Sequence, residues 1–142
     1  MIVVDASLVV KWLVVEDQTE PAIAFLEAFS GRVCGPDILA IEVAGAIVRR
    51  VNDRSLSLPT GAAILTTWRT ALEQNRVTTI RATPALIEQA GRLAIELGHP
   101  LADCLYLALA IELECELATC DAKFQAKASS AHPRVKLLSD FS

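Results

Sequence analysis

Residues 2–7 read Ile2-Val3-Val4-Asp5-Ala6-Ser7, a β-branched apolar triplet closed by a carboxylate and followed at once by small and polar residues that open a helical pattern. Three consecutive apolar residues without polar alternation suit a strand covered on both faces, the usual condition in a parallel sheet. A similar arrangement stands near the other end of the chain, where Glu116-Leu117-Ala118-Thr119 leads through Cys120 to Asp121. Both readings put an aspartate at a carboxyl strand end, the side of an α/β sheet on which ligands bind.

Outward from these two runs the chain alternates longer helical patterns with short strand candidates. Helices are predicted from Ser7 to about Val15, Gln18 to Phe29, Ile38 to about Asn52 with Asp37 as its cap, and Leu58 to about Asn75. Thr83-Pro84 is an N-cap residue with proline at the first helical position, which starts a helix reaching Leu97-Gly98. Further helices are expected over Leu101 to Glu114 and Ala122 to Ala128, and strands at Val33-Cys34, Arg76 to Ile80 and Val135 to Leu138. Such alternation implies crossover connections, so the expected fold is a three-layer α/β/α domain with a short-stranded, mainly parallel central sheet. Glycines and prolines are scattered singly and no repeat or linker is visible, so residues 1–142 are expected to form one domain.

At 53% hydrophobic and 21% charged the composition excludes disorder, and with only 5% aromatic residues the core must be built from Ala, Leu, Ile and Val. The longest apolar run, about Cys104 to Ile111, falls well short of the ~20 residues that span a bilayer. The N-terminus lacks the basic and apolar regions of a signal peptide, so a cytoplasmic location without membrane association is expected. Cys34, Cys104, Cys115 and Cys120 show no C-x-x-C spacing and form no zinc pattern with His99 and His132; reduced thiols are expected.

The net charge of −4 is the wrong sign for a surface that binds nucleic acid through its overall charge. A cluster of acids neutralised at one metal site would leave the remainder balanced, so total charge does not decide the partner. Candidates for such a cluster stand out. Glu42 is the only charged residue between Ile38 and Val48, and Asp103 the only one between Leu97 and Ile111. With Asp5 and Asp121 they fall near strand ends or in early helical turns, although each taken singly reads equally as a solvent-facing position or a helix cap. Four neighbouring carboxylates repel unless a cation joins them, and an oxygen-only donor set selects Mg²⁺ or Mn²⁺ over zinc. Mg²⁺ bound by few carboxylates keeps positions for substrate phosphates, which points to phosphate chemistry. Ser7 and Thr119 offer hydroxyls to orient the acids, or alternatively a cap and a strand-edge contact.

The ordered motifs Val3-Val4-Asp5-Ala6-Ser7 with Lys11-Trp12, Pro36-Asp37 leading to Glu42-Val43-Ala44, Leu101-Ala102-Asp103 leading to Tyr106 and Ala108, and Leu117-Ala118-Thr119-Cys120-Asp121 leading to Phe124 resemble those of PIN-domain ribonucleases. The resemblance is strongest to VapC-type toxins of toxin–antitoxin pairs and runs in order from residue 3 to about 124. It implies that Asp5, Glu42, Asp103 and Asp121 form the catalytic metal site, supported by Ser7 and Thr119, and that the activity is hydrolysis of RNA phosphodiesters with Mg²⁺ or Mn²⁺ as cofactor. It also implies a cognate antitoxin and a homodimer. Gly45 departs from the pattern, since relatives often carry Asn there.

Positive charge to hold an RNA backbone is available in Lys11, Arg49, Arg50, Arg54 and Lys123, which read equally as a solvated face. Trp12, Leu13, Val14 and Val15, with Ile23 and Phe29, are more apolar residues than one helix face buries, and could either line an antitoxin groove or fill the core. A haloacid-dehalogenase-type phosphatase needs a second acid at position 7, where serine stands; a receiver domain needs paired early acids and a late lysine; and no P-loop or G-x-G-x-x-G motif occurs. The remaining alternative is a PIN-like module that binds RNA or antitoxin with little catalysis.

Overall fold

A computed structural model describes residues 1–141. Five parallel strands, β1 (Ile2–Val4), β2 (Val33–Pro36), β3 (Thr78–Ile80), β4 (Glu116–Thr119) and β5 (Val135–Leu137), form one sheet in the order β3-β2-β1-β4-β5. Seven α-helices accompany them: α1 (Ala6–Leu13), α2 (Thr19–Ala28), α3 (Ile38–Asn52), α4 (Leu58–Glu73), α5 (Pro84–Leu97), α6 (Leu101–Glu112) and α7 (Ala122–Ala128). The architecture is the expected α/β three-layer arrangement, with a sheet that is parallel throughout.

The first strand is central. Val3 pairs with Cys34 on β2 and with Leu117 on β4, so β1 is covered on both edges as well as both faces, and Ile2, Val3 and Val4 are buried to within 2%. Sequence order runs outward from β1 in both directions, which makes the carboxyl ends of β1 and β4 the topological switch point of the sheet. Helix α6 packs against β1, β2 and β4, and every residue from Cys104 to Ala110 is buried. Its all-round apolar sequence therefore reflects a core helix. Among the described residues no single helix is long and apolar enough to cross a membrane.

Where the sequence reading and the structure differ, the causes are local. Asp37 does not cap α3: its own backbone is already helical, with φ −61 and ψ −21, and its carboxylate accepts from the Ala82 amide at 3.3 Å instead. A capping side chain turns back to its helix from an extended backbone, which Asp37 lacks. The cap of α1 is Asp5 rather than Ser7. Strand β2 extends through Gly35-Pro36 because it goes on pairing with Thr79 and Ile80 of β3, and proline is tolerated there because the pairing to β1 ends at Cys34. Leu138 leaves the last strand for a 3-10 turn over Leu138–Asp140. Helix α4 lies so close to α3 that a Cβ on Gly61 would fall 2.2 Å from Val51 Cγ2.

Candidate active site

Asp5 stands one residue beyond β1 and is only 6% exposed. As the N-cap of α1 it accepts the Leu8 amide on Oδ1 at 3.2 Å, and the same oxygen accepts the Ser7 hydroxyl at 2.6 Å. Its other oxygen accepts the Thr119 hydroxyl from the end of β4. The two hydroxyls then take amide hydrogens themselves: Cys120 N–H donates to Ser7 Oγ and Asp121 N–H to Thr119 Oγ1, each at 3.0 Å. A hydroxyl has one hydrogen, so both hydrogens are committed to Asp5, and the arrangement is complete with Asp5 as an acceptor only. Burial nevertheless pushes the Asp5 carboxyl up to about 6; the Ser7, Thr119 and Leu8 hydrogen bonds oppose this, and the nearby Asp103 charge adds to it.

The other three acids reach the same place from different elements. Asp121 caps α7, accepting the Phe124 amide at 3.0 Å. Asp103 lies in the first turn of α6, where a negative charge is favoured by the helix dipole, and accepts from His99 Nε2 at 2.6 Å. Glu42 lies in the second turn of α3 and accepts the Tyr106 hydroxyl at 2.6 Å. Tyr106 is fully buried, and burial together with the Glu42 carboxylate drives its pKa far up, so the phenol is a permanent donor. Tyr106 follows Asp103 by three residues, so one face of α6 supplies one acid and orients a second.

Asp5, Glu42, Asp103 and Asp121 line a single cleft of about 540 Å³, with Ser7 beside them and Thr119 beneath. Lys11, Arg49 and Arg50 form part of its wall. Lys123 stands exposed in the first turn of α7 and Arg54 beyond α3 in a left-handed conformation with φ 69; neither lines the cleft. At Gly45 a Cβ would lie 3.6 Å from the Arg49 guanidinium, in ordinary contact with it.

Each carboxylate is tethered by its own neighbour, and among the described residues no three His, Cys, Asp or Glu side chains stand as a ready-made ion cage. The donor set fits a hard divalent cation all the same. All four donors are carboxylates, and Glu42 Oε2, Asp103 Oδ1 and Asp121 Oδ2 have no hydrogen-bond partner among the described residues. Burial raises the Asp5 carboxyl and the Asp103 charge adds to this, and a cation bound between the acids would favour the ionised form.

Residues 2–129 match the family model for the PIN domain. The chain belongs to the PIN domain family. No curated protein sequence matches it significantly. Among solved structures, this PIN domain is similar in fold to a toxin–antitoxin complex from Klebsiella pneumoniae, with TM-score 0.72 and 19% identity over 97% of this chain and 98% of that one. It is similar also to VapC20 of Mycobacterium tuberculosis, a toxin that cleaves the sarcin-ricin loop, with TM-score 0.73 and 17% identity over 89% of this chain and 94% of that one. FitAcB from Neisseria gonorrhoeae gives TM-score 0.63 and 19% identity, with 96% of each chain covered.

Three residues of the PIN site, two behind the cleft acids and one on the cleft wall, escaped the sequence reading in their roles. Tyr106 was visible only as part of a motif, and the hydroxyl of a tyrosine inside an apolar helix is the signal that it needs a partner. His99 precedes the cap residue Pro100 of α6, so it reaches Asp103 from outside the helix, and its ring is stacked on Phe124 at 4.9 Å, which no local pattern announces. Glu16 lines the cleft wall from the loop between α1 and α2.

Proposed function

We propose that this chain is a metal-dependent endoribonuclease that hydrolyses RNA phosphodiester bonds and serves as the toxin of a type II toxin–antitoxin pair in the cytoplasm. The observation that carries this reading is the meeting of Asp5, Glu42, Asp103 and Asp121 in one cleft at the switch point of the sheet. Those four residues would hold Mg²⁺ or Mn²⁺, and a bound ion supplies Lewis-acid polarisation of the scissile phosphate and a water of lowered pKa.

The protein's own part is positioning. Ser7, Thr119 and the Leu8 amide aim Asp5, so that both its oxygens are oriented before any ligand arrives. Tyr106 and His99 do the same for one oxygen each of Glu42 and Asp103, leaving the other oxygen available. Lys11, Arg49 and Arg50 offer charge to backbone phosphates along the wall. Attack by water rather than by the ribose 2′-hydroxyl leaves a 5′-phosphate and a 3′-hydroxyl.

An antitoxin partner is supported by the toxin–antitoxin complexes among the structural neighbours. Surface for it is offered where Trp12, Ile23 and Leu26 line a second hollow, and Val15 is 93% exposed. Val14, in contrast, is buried in the core. A homodimer would cover Ile41 and Val48, seven residues apart on one face of α3, with Leu58 of α4 nearby; all three are exposed.

The test is to incubate antitoxin-free protein with total cellular RNA in Mn²⁺ or Mg²⁺, beside an EDTA control and the Asp103→Asn variant. Discrete fragments that disappear in both controls support the proposal. Intact RNA throughout, with binding retained, would replace it by a PIN-fold binding module.

A further inference from the structure

Glu16 has no place in the metal chemistry, yet it sits on the wall of the same cleft. Its Oε1 lies 3.5 Å from Lys11 Nζ, and Arg50 Nη2 reaches its Oε1 at 3.3 Å and its Oε2 at 3.2 Å. One carboxylate thus occupies two of the cations that face the cleft. Arg49 makes no ion pair among the described residues.

We propose that Glu16 is a built-in competitor for substrate phosphate, its carboxylate filling an anion subsite made by Lys11 and Arg50 that an RNA backbone phosphate takes over when the substrate binds. The inference rests on the ribonuclease reading above for the identity of the substrate, and on three observations for the subsite.

The first is the mismatch at Arg50. A guanidinium paired well with a carboxylate presents two nitrogens to two oxygens, whereas here Nη2 alone serves both oxygens and Nη1 is buried with no partner among the described residues. A buried donor left unmet is costly, and an anion seated differently from the Glu16 carboxylate could answer both nitrogens where Glu16 answers one. The second is the way the Glu16 backbone is held. Its amide donates to Thr19 Oγ1 at 2.8 Å, and the Thr19 hydroxyl donates to the Val14 carbonyl at 2.9 Å or to the Glu16 carbonyl at 2.8 Å. The loop is therefore fixed through its main chain, and the Glu16 side chain can swing away without undoing it. The third is accessibility: the side chains of Lys11, Glu16 and Arg50 are 25%, 26% and 29% exposed, open enough for exchange with an incoming anion.

A fifth carboxylate in a cleft that must admit a polyanion weakens substrate binding by its charge and by occupying its cations. Displacement makes the cost depend on the ligand, since an anion that satisfies Lys11 and both nitrogens of Arg50 recovers more than a single charged oxygen does.

The experiment measures a fluorescein-labelled RNA hairpin bound to the full, antitoxin-free chain in EDTA, by anisotropy across a salt series, for the wild type, Glu16→Gln, Arg50→Met and the double variant. Glu16→Gln keeps the shape of the side chain and removes the charge. It is expected to tighten binding about three- to tenfold at low salt and to steepen the slope of log K against log salt by about 0.7–0.9 for each phosphate newly engaged. In the Arg50→Met background the same substitution should do little, the sign of a shared site. Unchanged or weaker RNA binding by Glu16→Gln with a lowered melting temperature overturns the proposal and makes Glu16 a clamp between α1 and α3. Cleavage in Mn²⁺ that is lost in Asp103→Asn, alongside a silent Glu16→Gln, removes this inference and leaves the nuclease standing. If no variant binds or cleaves RNA, the ribonuclease reading falls, and inorganic pyrophosphate then decides the subsite in thermal melts. Stabilisation of Glu16→Gln beyond the wild type and Arg50→Met keeps it, and equal response in all three overturns it.

Discussion

Replacing Asp5 by asparagine should make the apo protein more stable at neutral pH while abolishing cleavage. The native carboxyl sits at about 6 against an ordinary 3.8, chiefly because it is buried. Below pH 3.8 folded and unfolded chains both carry the proton and no difference arises. As pH rises towards 6 the unfolded chain ionises first, the native state holds the proton more tightly, and stability falls; above 6 the native state carries the whole penalty. A shift of about 2 units corresponds to about 3 kcal/mol. Asparagine removes the charge, but its amide nitrogen faces the Thr119 hydroxyl, which must turn to accept, at a cost of about 1 kcal/mol. The net expectation is a gain of about 2 kcal/mol at pH 7.5 in EDTA, roughly 4–8 °C in melting temperature for a chain of this size. The gain should vanish near pH 4. Thermal or urea unfolding of both proteins from pH 4 to 8 measures it. Saturating Mn²⁺ should reverse the order, since an ion at 100 times its dissociation constant adds about 2.7 kcal/mol to the form that binds it. A wild-type stability that stays flat between pH 4 and 7, or an asparagine variant less stable than wild type at pH 7.5 in EDTA, would refute the claim that burial destabilises the Asp5 carboxylate.

Thr119→Val should cost about 1–3 kcal/mol at pH 7.5, because one buried oxygen of Asp5 then has no donor, and clearly less at pH 4; paired denaturant titrations at the two pH values check it. Tyr106→Phe should change stability by no more than about 1 kcal/mol, since Glu42 is half-exposed and water can replace the phenol, yet lower metal affinity roughly tenfold or more, read by Mn²⁺-dependent thermal shift and by cleavage rate. Gly61→Ala should destabilise by about 1–3 kcal/mol although alanine is the better helix former, because the added Cβ meets Val51 at the α3–α4 contact; an increase in stability would show that Val51 yields freely.

Much of the fold was legible because the chain's local signals agree with one another. Thr83-Pro84 and Gly98 bound α5 as expected, Ile38–Asn52 and Ala122–Ala128 match their predicted spans, and the apolar triplet Ile2–Val4 is the central strand. Helix ends were less legible. Asn75 and Glu114 lie in left-handed backbone, with φ 54 and 51, and so stop the pattern a residue or two short of where composition carries it. Asp37 shows the same difficulty in side chains, since a residue that suits a cap is free to bond elsewhere when the adjoining β3 segment presents the Ala82 amide.

For the site, the sequence by itself determined which acids are out of place in apolar surroundings, and the order of strands and helices that puts them at strand ends. That much follows from spacing, because a residue after a strand or in a first helical turn has its position set by local geometry. Only the tertiary structure decided what each acid touches. Thr119 reaches Asp5 across 114 residues of chain, Tyr106 reaches Glu42 across 64, and Arg50 reaches Glu16 across 34. Such pairings depend on the register of β1 with β4 and on how α6 and α3 pack, and hydrogen bonds act over a few ångströms whatever the separation along the chain.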